Sequence, residues 1–337
     1  MKIILPMAGY GTRLRPHTWS VPKPLVPLAG KAMIDHIFDR LLPLKPEEII
    51  CIVGYLGDQI EGHVQRHYAV PTRFVEQPEM RGQADAIART RDLVDGDALI
   101  IFADTIFEAD FTPLRTLRDH GIDGAIYVKE VDDPRRFGVA VLDDQEIAVR
   151  LVEKPEEPVS NLALAGLYYF TDMAPLYDAI DTLVGSGKAL KGEYYLADAI
   201  QIMIERGARL QALTIPVWED CGKPAELLHT NRYLLSKMEQ DGQLPNSRTL
   251  PDSIVIQPSW VDPTAAVTRS VIGPYVSVGA GAKLTGVVIE DSIVGEDADL
   301  AHMTLASSIL STGAMIEGMV QRFNLGAGSS AERGTRK

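Results

Sequence analysis

Short apolar runs alternate with longer amphipathic segments through roughly the first 130 residues. The runs have the length of buried strands, and the segments between them have the spacing of helices that cover a sheet. We predict strands at Ile3–Leu5, Ile49–Val53, Arg73–Val75 and Leu99–Phe102, and helices at Met33–Leu42, Gly57–His67 and Gln83–Leu93. This βαβα order predicts a Rossmann-like, mostly parallel α/β sheet with helices on both faces, which binds ligands at the carboxyl ends of its strands.

From about residue 122 the signals become rich in strands, which indicates a substrate-binding subregion appended to the sheet. The predicted strands are Gly124–Val128, Gly138–Leu142, Ile147–Val152 and Gly166–Phe170. The predicted helices are Met173–Asp181, Tyr195–Arg206 and Pro224–Glu239. The Gly, Pro, Asn and Ser residues of 241–252 then mark a linker, so we place the first domain at 1–240.

Beyond the linker, apolar residues recur about every six positions and small residues lie between them. They are Val261, Val267, Ile272, Val278, Leu284, Val288, Val294 and Leu300. Hexapeptide repeats of this kind predict a parallel β-helix of about three coils, here over 253–325, whose apolar residues point inward. A small β-sandwich is the alternative. We expect the Gly/Ser-rich segment 326–337 to be a flexible tail.

Composition narrows the function. A chain of 337 residues with 46% hydrophobic residues can bury two cores. The net charge of −13 argues against sequence-independent binding of nucleic acid, which needs a basic surface. The two cysteines, Cys51 and Cys221, have no metal-binding spacing and fit a reducing cytoplasm. No apolar stretch approaches the ~20 residues of a membrane helix, so we expect neither membrane nor nucleic acid among the partners.

The segment after the first predicted strand is a glycine loop, Gly9-Tyr10-Gly11, followed by two cations, Arg13 and Lys23. Glycines let main-chain N–H groups approach phosphate oxygens. A dinucleotide fingerprint would need a third glycine and an immediate helix, which the four prolines between residues 16 and 27 preclude. A tight turn with solvated charges is the structural alternative. The combination favours binding of a polyphosphate.

The segment from Gly9 to Ile34 resembles the signature of the sugar-phosphate nucleotidyltransferases. Within that family the chain is most similar to the long form of glucose-1-phosphate thymidylyltransferase, and the likeness extends to about residue 325. The resemblance implies a GT-A-like nucleotidyltransferase fold followed by a left-handed β-helix. It also implies nucleotide contacts at the loop residues Ala8, Gly9, Gly11, Thr12 and Arg13, and a catalytic role for Arg13 and Lys23.

Two segments resemble the metal-binding motifs of that family. Phe102-Ala103-Asp104-Thr105 stands in place of a G-D-N motif, and the segment from Trp218 to Pro224 matches W-x-D-x-G-x-P at Asp220. The resemblance implies that Asp104 and Asp220 bind Mg²⁺, which takes one or two carboxylates together with phosphates and water. Ala103 and Thr105 depart from the motif and leave the fit of the sugar open. A strand-end aspartate and a helix cap are the structural alternatives.

Further matches concern the two substrates. Gln77 and Gly82 stand where the family contacts the pyrimidine edge, and an amide offers both a donor and an acceptor for thymine or uracil. Gly138, Glu153, Lys154 and Tyr168 lie in segments that resemble the sugar-binding half. Lys191 stands where thymidylyltransferases often have arginine, and a lysine lacks the bidentate fork. For each of these residues an ordinary loop or surface role is the alternative.

The resemblance implies transfer of a nucleotidyl group from a nucleoside triphosphate, dTTP or UTP, to a sugar 1-phosphate such as glucose 1-phosphate. Two alternatives remain: a bifunctional enzyme whose β-helix is an acetyltransferase, and a non-catalytic regulatory subunit. His302 is the only histidine of the β-helix segment, and we interpret it as a corner or surface residue. We also expect a homo-oligomer, because a β-helix with a flat apolar face commonly packs against a copy of itself.

Overall fold

The computed structural model describes residues 1–187, 189–190, 192–244, 250 and 252–318. The chain forms two compact units, one of Met1–Tyr233 and one from Leu234 onward. The division lies inside the last helix. The domain boundaries expected from the sequence remain predictions, and the expected tail, 326–337, lies outside the described residues.

The described residues of the first unit form thirteen strands and most of the helices. Its strands are β1 (Lys2–Pro6), β2 (Pro27–Leu28), β3 (Lys31–Ala32), β4 (Ile49–Val53), β5 (Thr72–Glu76), β6 (Ala98–Ile101), β7 (Thr105–Glu108), β8 (Gly124–Glu130), β9 (Gly138–Leu142), β10 (Ala148–Glu153), β11 (Leu162–Phe170), β12 (Leu210–Thr214) and β13 (Val217–Asp220). The helices of the described residues are α1 (Met33–Leu41), α2 (Gly57–His67), α3 (Gln83–Ala88), α4 (Ala174–Gly185), α5 (Leu196–Glu205) and α6 (Pro224–Gln240).

The main sheet has the order β5-β4-β1-β6-β11-β8-β12 and is parallel except for β11. The antiparallel pair β9–β10 extends it beside the first half of β11. The chain winds from β1 to β4 and β5 on one side, and returns to β6 on the other. The strand order therefore reverses at β1. Ligands of open α/β sheets bind at such a point, outside the carboxyl ends of the strands.

Successive residues of the central strands are buried on opposite faces of the sheet. Ile4, Ile50 and Ile100 belong to one apolar cluster, which includes residues of α3, α4 and α5. Ile3, Cys51 and other alternate strand residues belong to a second cluster, which includes residues of α1 and α2. Because helices cover both faces, these strands have continuous apolar runs rather than alternating ones.

The predicted strands and helices of this unit are present, with ends that match or differ by up to five residues. Helix α3 ends early: Ala88 is its last residue, and Arg91–Leu93 forms a separate 3₁₀ turn. The side chain and the N–H of Thr90 both donate to the carbonyl oxygen of Ile87 at this helix end. Strands β2, β3, β7, β12 and β13 are not among the predicted elements. Strands β7 and β13 have four residues each and end in polar residues, so their pattern is weak.

The second unit is a three-sided parallel β-helix, consistent with the left-handed form expected from the sequence. Its strands are β14 (Ile254–Val255), β15 (Trp260–Val261), β16 (Ala266–Thr268), β17 (Val271–Ile272), β18 (Val276–Val278), β19 (Lys283–Thr285), β20 (Val288–Glu290), β21 (Ser292–Val294), β22 (Asp299–Ala301), β23 (Thr304–Ala306), β24 (Ile309–Leu310) and β25 (Met315–Glu317). Each face carries four parallel strands. The predicted residues 319–325 of this domain lie outside the described residues.

Two details of the repeat differ from the prediction. The described residues form four coils rather than about three. Val288 is exposed, whereas its neighbours Val287 and Ile289 are fully buried. Since side chains alternate between the two faces of a strand, the inward position of β20 is Ile289. The six-residue spacing of apolar positions does not hold here, because the interval from Leu284 to Val288 is shorter than six residues and contains a turn at Gly286.

The helices of the described residues are short. The longest, α6, has 17 residues, and it is followed in length by α4 with 12. No helix in the described part of the chain is long and apolar enough to cross a membrane.

Candidate active site

Two cavities lie at the carboxyl edge of the main sheet. The first has a volume of about 510 Å³ and is lined by the glycine loop, Gln77, Gly82 and Asp104. The second has a volume of about 210 Å³ and is lined by Gly138, Glu153, Lys154, Tyr168 and Asp220, among others. The residues that line both cavities are Arg13, Gln83, Phe102 and Asp104. The site therefore has two compartments that meet at a carboxylate and a guanidinium group.

The glycine loop presents unpaired main-chain donors to the first cavity. Within the described chain, the N–H groups of Gly9, Tyr10 and Gly11 have no hydrogen-bond acceptor. Gly11 has a left-handed φ of 61°, and Thr18 Oγ1 donates to its carbonyl oxygen at 2.8 Å. A Cβ atom at Gly9 would meet no atom within 4 Å, so this position is open. Successive free N–H groups of this kind are a binding site for phosphate oxygens.

The prolines of the loop prevent a long helix and bring Lys23 into the site. The chain makes 3₁₀ turns at Thr12–Leu14 and Lys23–Leu25, and the second turn begins after Pro22. Lys23 Nζ lies 3.0 Å from Asp104 Oδ2, and its side chain is only 12% exposed. A lysine this buried beside a carboxylate acts as a fixed cation at the junction of the two cavities.

The pairing of β7 with β13 brings Asp104 and Asp220 together. Thr105 is the register partner of Asp220, and the Cys221 N–H donates to the carbonyl oxygen of Asp104 at 3.0 Å. The Asp220 carboxylate accepts a hydrogen bond of 2.8 Å from the Gly222 N–H. A Cβ atom at Gly222 would lie 3.1 Å from the Arg13 guanidinium group, so Arg13 lies directly beside this carboxylate.

The two carboxylates have opposite pKa shifts. Desolvation works toward a higher pKa for Asp104, but the charge and hydrogen bond of Lys23, with Arg13, hold its pKa below the ordinary value. Desolvation and repulsion by Asp104 and Glu226 raise the pKa of Asp220. Two such carboxylates suit a shared divalent cation. The described residues contain no group of three or more His, Cys, Asp or Glu side chains placed for a metal, so its other ligands would be phosphate and water oxygens.

Gln77 and Gly82 lie together in the first cavity. Gln77 is 4% exposed, and its amide nitrogen donates to the Gly82 carbonyl and to Asp85, both at 3.1 Å. Because both partners are acceptors, they fix the orientation of the amide and leave its oxygen as the free group. Gly82 has a φ of 99°, and a Cβ atom there would lie 2.5 Å from the Tyr194 carbonyl oxygen. The position requires glycine.

The second cavity holds the predicted sugar-binding residues. Gly138 begins β9 and Glu153 ends β10, and a Cβ atom at Gly138 would lie 2.8 Å from Glu153 Oε2. Lys154 Nζ lies 3.1 Å from Glu153 Oε1. Desolvation raises the pKa of Glu153, although Lys154 opposes the shift. Tyr168 is 3% exposed, and its hydroxyl has no hydrogen-bond partner among the described residues. The expected site residue Lys191 lies outside the described residues.

A register shift in β11 opens this cavity. The pairing of β11 with β8 is interrupted between Leu164 and Tyr168. Gly166 has a φ of 75°, and a Cβ atom there would lie 3.0 Å from the ring of Phe102. Bulges of this kind commonly redirect side chains beside active sites. Here the glycine lets Phe102 form part of the wall between the compartments.

Ala103 and Thr105, which depart from the motif, are 3% and 5% exposed. Thr105 Oγ1 donates to the Phe102 carbonyl oxygen at 3.3 Å and lines the second cavity. The sequence analysis did not single out four further lining residues: Gln83, Arg136, Trp218 and Glu193. Trp218 and Arg136 lie two positions before the assigned residues Asp220 and Gly138, so proximity to a matched motif was the available signal.

The parallel sheet has its switch point at a phosphate-binding loop, next to paired carboxylates and a second polar cavity. These features define the class of protein: an α/β phosphate-transfer enzyme with two substrate compartments. The chain belongs to the nucleotidyl transferase family, whose model matches residues 1–237. It is a sugar nucleotidyltransferase related to glucose-1-phosphate thymidylyl- and uridylyltransferases. Enzymes of this family generally use a divalent metal.

Three relatives and one solved structure illustrate the similarity. The bifunctional protein GlmU of Methanocaldococcus jannaschii is 35% identical over 76% of this chain, but the chain spans only 60% of that protein. The low-salt glycan biosynthesis nucleotidyltransferase Agl11 of Haloferax volcanii is 34% identical over 94% of both chains. The UTP–glucose-1-phosphate uridylyltransferase AglF of the same organism is 35% identical over 67% of this chain and 93% of its own length.

The solved structure is described as a glucose-1-phosphate thymidylyltransferase from Bacillus anthracis in complex with a sucrose. It matches with a TM-score of 0.62 and 28% sequence identity over 69% of this chain and 94% of that chain. The expected family and fold class are thus confirmed.

Proposed function

We propose that this enzyme transfers a nucleotidyl group from dTTP or UTP to glucose 1-phosphate, giving a nucleoside diphosphate sugar and pyrophosphate. The observation that carries the proposal is the junction of the two cavities at Arg13 and Asp104. One cavity has phosphate-binding N–H groups and an amide suited to a base, and the other has a carboxylate and a cation suited to a sugar phosphate. The reacting phosphates would meet at the junction.

The reaction we propose is an in-line displacement. A phosphate oxygen of the sugar 1-phosphate forms a bond to the α-phosphorus of the triphosphate, and the bond from that phosphorus to the bridging oxygen of pyrophosphate breaks. The attacking oxygen is already anionic, so no general base is required. Catalysis then rests on position and charge: Arg13 holds the leaving pyrophosphate, Lys23 the transition-state phosphates, and Lys154 the attacking phosphate.

Asp104 and Asp220 are the residues we propose to hold Mg²⁺. Their proximity supports a shared ion, and because the described residues hold no group of three or more ligand side chains placed for a metal, that ion would also take phosphate ligands. When bound, Mg²⁺ supplies positive charge to the phosphate oxygens. The charge and hydrogen bond of Lys23 lower the pKa of Asp104 and so favour the ionised carboxylate that would bind the ion.

The orientation of Gln77 supports a pyrimidine with a protonated N3. Its free amide oxygen can accept the N3–H of thymine or uracil, and the unpaired main-chain N–H of Gly82 can donate to a ring carbonyl. Cytosine and adenine present acceptors at the corresponding ring nitrogens and would leave the buried amide oxygen unpaired. The loss of such a hydrogen bond costs about 1–3 kcal/mol. This pairing does not separate dTTP from UTP.

The second cavity supports a hexose 1-phosphate. Glu153 and the free hydroxyl of Tyr168 are placed to bond sugar hydroxyls, with the main chain of Gly138 beside them. Lys154 neutralises the phosphate, and we propose that Lys191 assists it as a point charge. Thr105 lies where relatives have asparagine, so the hydroxyl preference of the sugar depends partly on this residue.

A substrate panel tests the proposal. Purified enzyme is incubated with Mg²⁺, each of dTTP, UTP, GTP, ATP and CTP, and several sugar 1-phosphates, and pyrophosphate release is measured. We expect turnover with dTTP or UTP and glucose 1-phosphate, and its loss in Asp104→Asn. Preference for ATP or CTP would overturn the assignment of Gln77, and preference for GTP, whose N1–H and O6 offer the same donor and acceptor, would overturn the choice of a pyrimidine. Nucleotide binding without turnover in every combination would favour a regulatory subunit.

A second candidate function is an acetyltransferase activity of the β-helix, favoured by the similarity to proteins named bifunctional GlmU. His302 is the only histidine of the β-helix segment that could act as the general base of this reaction. His302 is exposed at a corner of the β-helix with a left-handed φ of 56°, as expected of a structural corner residue. Release of free thiol from acetyl-CoA with an amino sugar 1-phosphate, lost in His302→Ala, would establish this activity.

We also propose that the enzyme is a cytoplasmic homo-oligomer. Cys51 and Cys221 are buried free thiols, as a reducing compartment allows. Ile254 and Val288 are 60% and 49% exposed and lie on one ladder of the β-helix, on a face that suits contact with a second copy. Light scattering should give a mass above one chain, and Ile254→Glu with Val288→Glu should reduce it. An unchanged mass would exclude this face as the interface.

A further inference from the structure

The segment Glu193–Tyr195, just before α5, lies between the two substrate compartments. Glu193 lines the first cavity, whereas Tyr194 and Tyr195 are only 9% and 7% exposed. Neither tyrosine belongs to the catalytic groups described above. Tyr195 contacts Lys154 on one side of the segment, and Tyr194 contacts the loop of Gly82 on the other.

Tyr195 holds the side chain of Lys154. Lys154 Nζ lies 4.4 Å from the centroid of the Tyr195 ring and 3.4 Å from its hydroxyl oxygen. The only charged group that pairs with this ammonium among the described residues is the carboxylate of Glu153, at 3.1 Å. The side chain of Lys154 is 44% exposed and has four rotatable bonds, so it would otherwise sample many positions. A cation over an aromatic face is restrained in a way that a solvated lysine is not.

Tyr194 is bonded to the loop that carries Gly82. Its N–H donates to the Arg81 carbonyl at 2.8 Å, and its carbonyl accepts from the Ala84 N–H at 3.0 Å. The close approach leaves no room for a Cβ atom at Gly82, and the Gly82 carbonyl in turn holds Gln77. The loop proposed to recognise the base and the segment that holds Lys154 are therefore joined through two main-chain hydrogen bonds.

From these contacts we propose that Tyr195 is a positioning residue for Lys154, and that Tyr194 ties this position to the base-recognition loop. The inference rests on the proposed function for its kinetic consequence, but not for the placement of Lys154. Tyr195 fixes the cation that receives the sugar phosphate. Displacement of Gly82 would disturb Lys154 through the same segment.

The placement can be measured without turnover. Burial works toward a lower pKa for Lys154, but Glu153 and Tyr195 hold its pKa above the ordinary value. Trinitrobenzene sulfonate modifies unprotonated lysines, and peptide mass spectrometry gives the rate at Lys154. Tyr195→Leu should increase this rate roughly threefold, while Tyr195→Phe, which keeps the ring but loses the hydroxyl contact, should increase it less. Tyr195→Met replaces the leucine variant if that variant does not fold.

Gly82→Ala tests the link to the base-recognition loop. Its Cβ atom displaces Tyr194, so the modification rate of Lys154 should rise in this variant. Gly96→Ala is the matched control, because a Cβ atom at Gly96 meets nothing within 4 Å. An unchanged rate in Gly82→Ala would overturn the link, and an unchanged rate in both Tyr195→Leu and Tyr195→Met would overturn the positioning role.

Kinetics supply the second readout. In Tyr195→Leu the KM for the sugar 1-phosphate should rise roughly three- to tenfold, with the nucleotide KM unchanged and partial rescue in Tyr195→Phe. An equal rise in both KM values together with a lower melting temperature would mean a merely structural role and overturn the inference. If the wild-type enzyme turns over no substrate pair, the proposed function fails, and the modification rates still decide the placement of Lys154.

Discussion

Lys23 Nζ lies 3.0 Å from Asp104 Oδ2, although 81 residues separate the two along the chain. The contact joins the signature loop after β1 to the turn between β6 and β7. These two strands are neighbours at the switch point of the sheet. The pair keeps Asp104 ionised and leaves a buried cation at the junction of the two cavities.

Lys23→Ala should lower kcat by about 10²- to 10³-fold, because it removes a preorganised cation from the transition-state phosphates. Pyrophosphate release gives the rate. Lys283→Ala, which changes an exposed lysine of the β-helix, is the control and should retain full activity. A rate for Lys23→Ala within a factor of two of wild type would contradict the role of this lysine.

Asp104→Asn and Asp220→Asn should each reduce activity by at least about 10²-fold and raise the Mg²⁺ concentration that gives half-maximal rate. Both substitutions remove a charged oxygen from the proposed metal site without changing its size. Chelation of the metal should abolish turnover in the wild type, and added Mg²⁺ should restore it. Asp144→Asn, an exposed site, serves as control. An unchanged Mg²⁺ dependence in both variants would rule out this site.

Gln77→Met should weaken the preference for UTP or dTTP over CTP by about tenfold, because the discriminating acceptor is lost. The ratio of kcat/KM values for the triphosphates measures the preference. Gln65→Met is a matched control on the exposed face of α2, where the side chain of Gln65 donates a hydrogen bond to Glu61. If the ratio stays constant in Gln77→Met, the base is recognised by other groups.

Ile289→Ala should destabilise the β-helix by about 2–5 kcal/mol, because it leaves a cavity in a fully buried position. The adjacent Val288→Ala should change stability by no more than about 0.5 kcal/mol, since Val288 faces outward. Urea unfolding of the two variants gives both values. Equal effects would mean that the inward and outward positions of β20 are wrongly assigned.

Asp35→Asn should lower stability by about 2 kcal/mol near neutral pH. Desolvation works toward a higher pKa for Asp35, but hydrogen bonds from His63, Tyr68 and the Ala32 N–H lower its pKa below 3.8. A lowered folded-state pKa contributes stability above the unfolded pKa, and this contribution is lost as pH falls through the folded value.

Urea unfolding at several pH values checks this sign: the difference between Asp35→Asn and the wild type should shrink as pH falls below about 4. Asp39→Asn, on the same helix but 54% exposed, should cost no more than about 1 kcal/mol at any pH. A difference for Asp35→Asn that grows toward acid would show that the carboxylate is not stabilised by these bonds.

Sequence alone determined the features that depend on local pattern and on motif. Buried runs such as Ile49–Val53 identified strands because both faces of a central strand are covered, and the prolines around Lys23 excluded a helix after the glycine loop. The repeat of apolar residues identified the β-helix, although the six-residue spacing wrongly assigned Val288 to the interior. The alternation of Val287, Val288 and Ile289 resolves that position.

Only the tertiary structure decided how distant groups meet. The motif resemblance implies that Asp104 and Asp220 bind one metal ion, and the structure brings them together because β7 pairs with β13, two short strands whose mixed composition gives no strand signal in the sequence. The free oxygen of Gln77 is set by two acceptors, Gly82 and Asp85, and the contact of Tyr195 with Lys154 depends on how α5 approaches β10. Local patterns reflect the burial of single elements, whereas the chemistry of a site depends on register and packing between elements far apart in the chain.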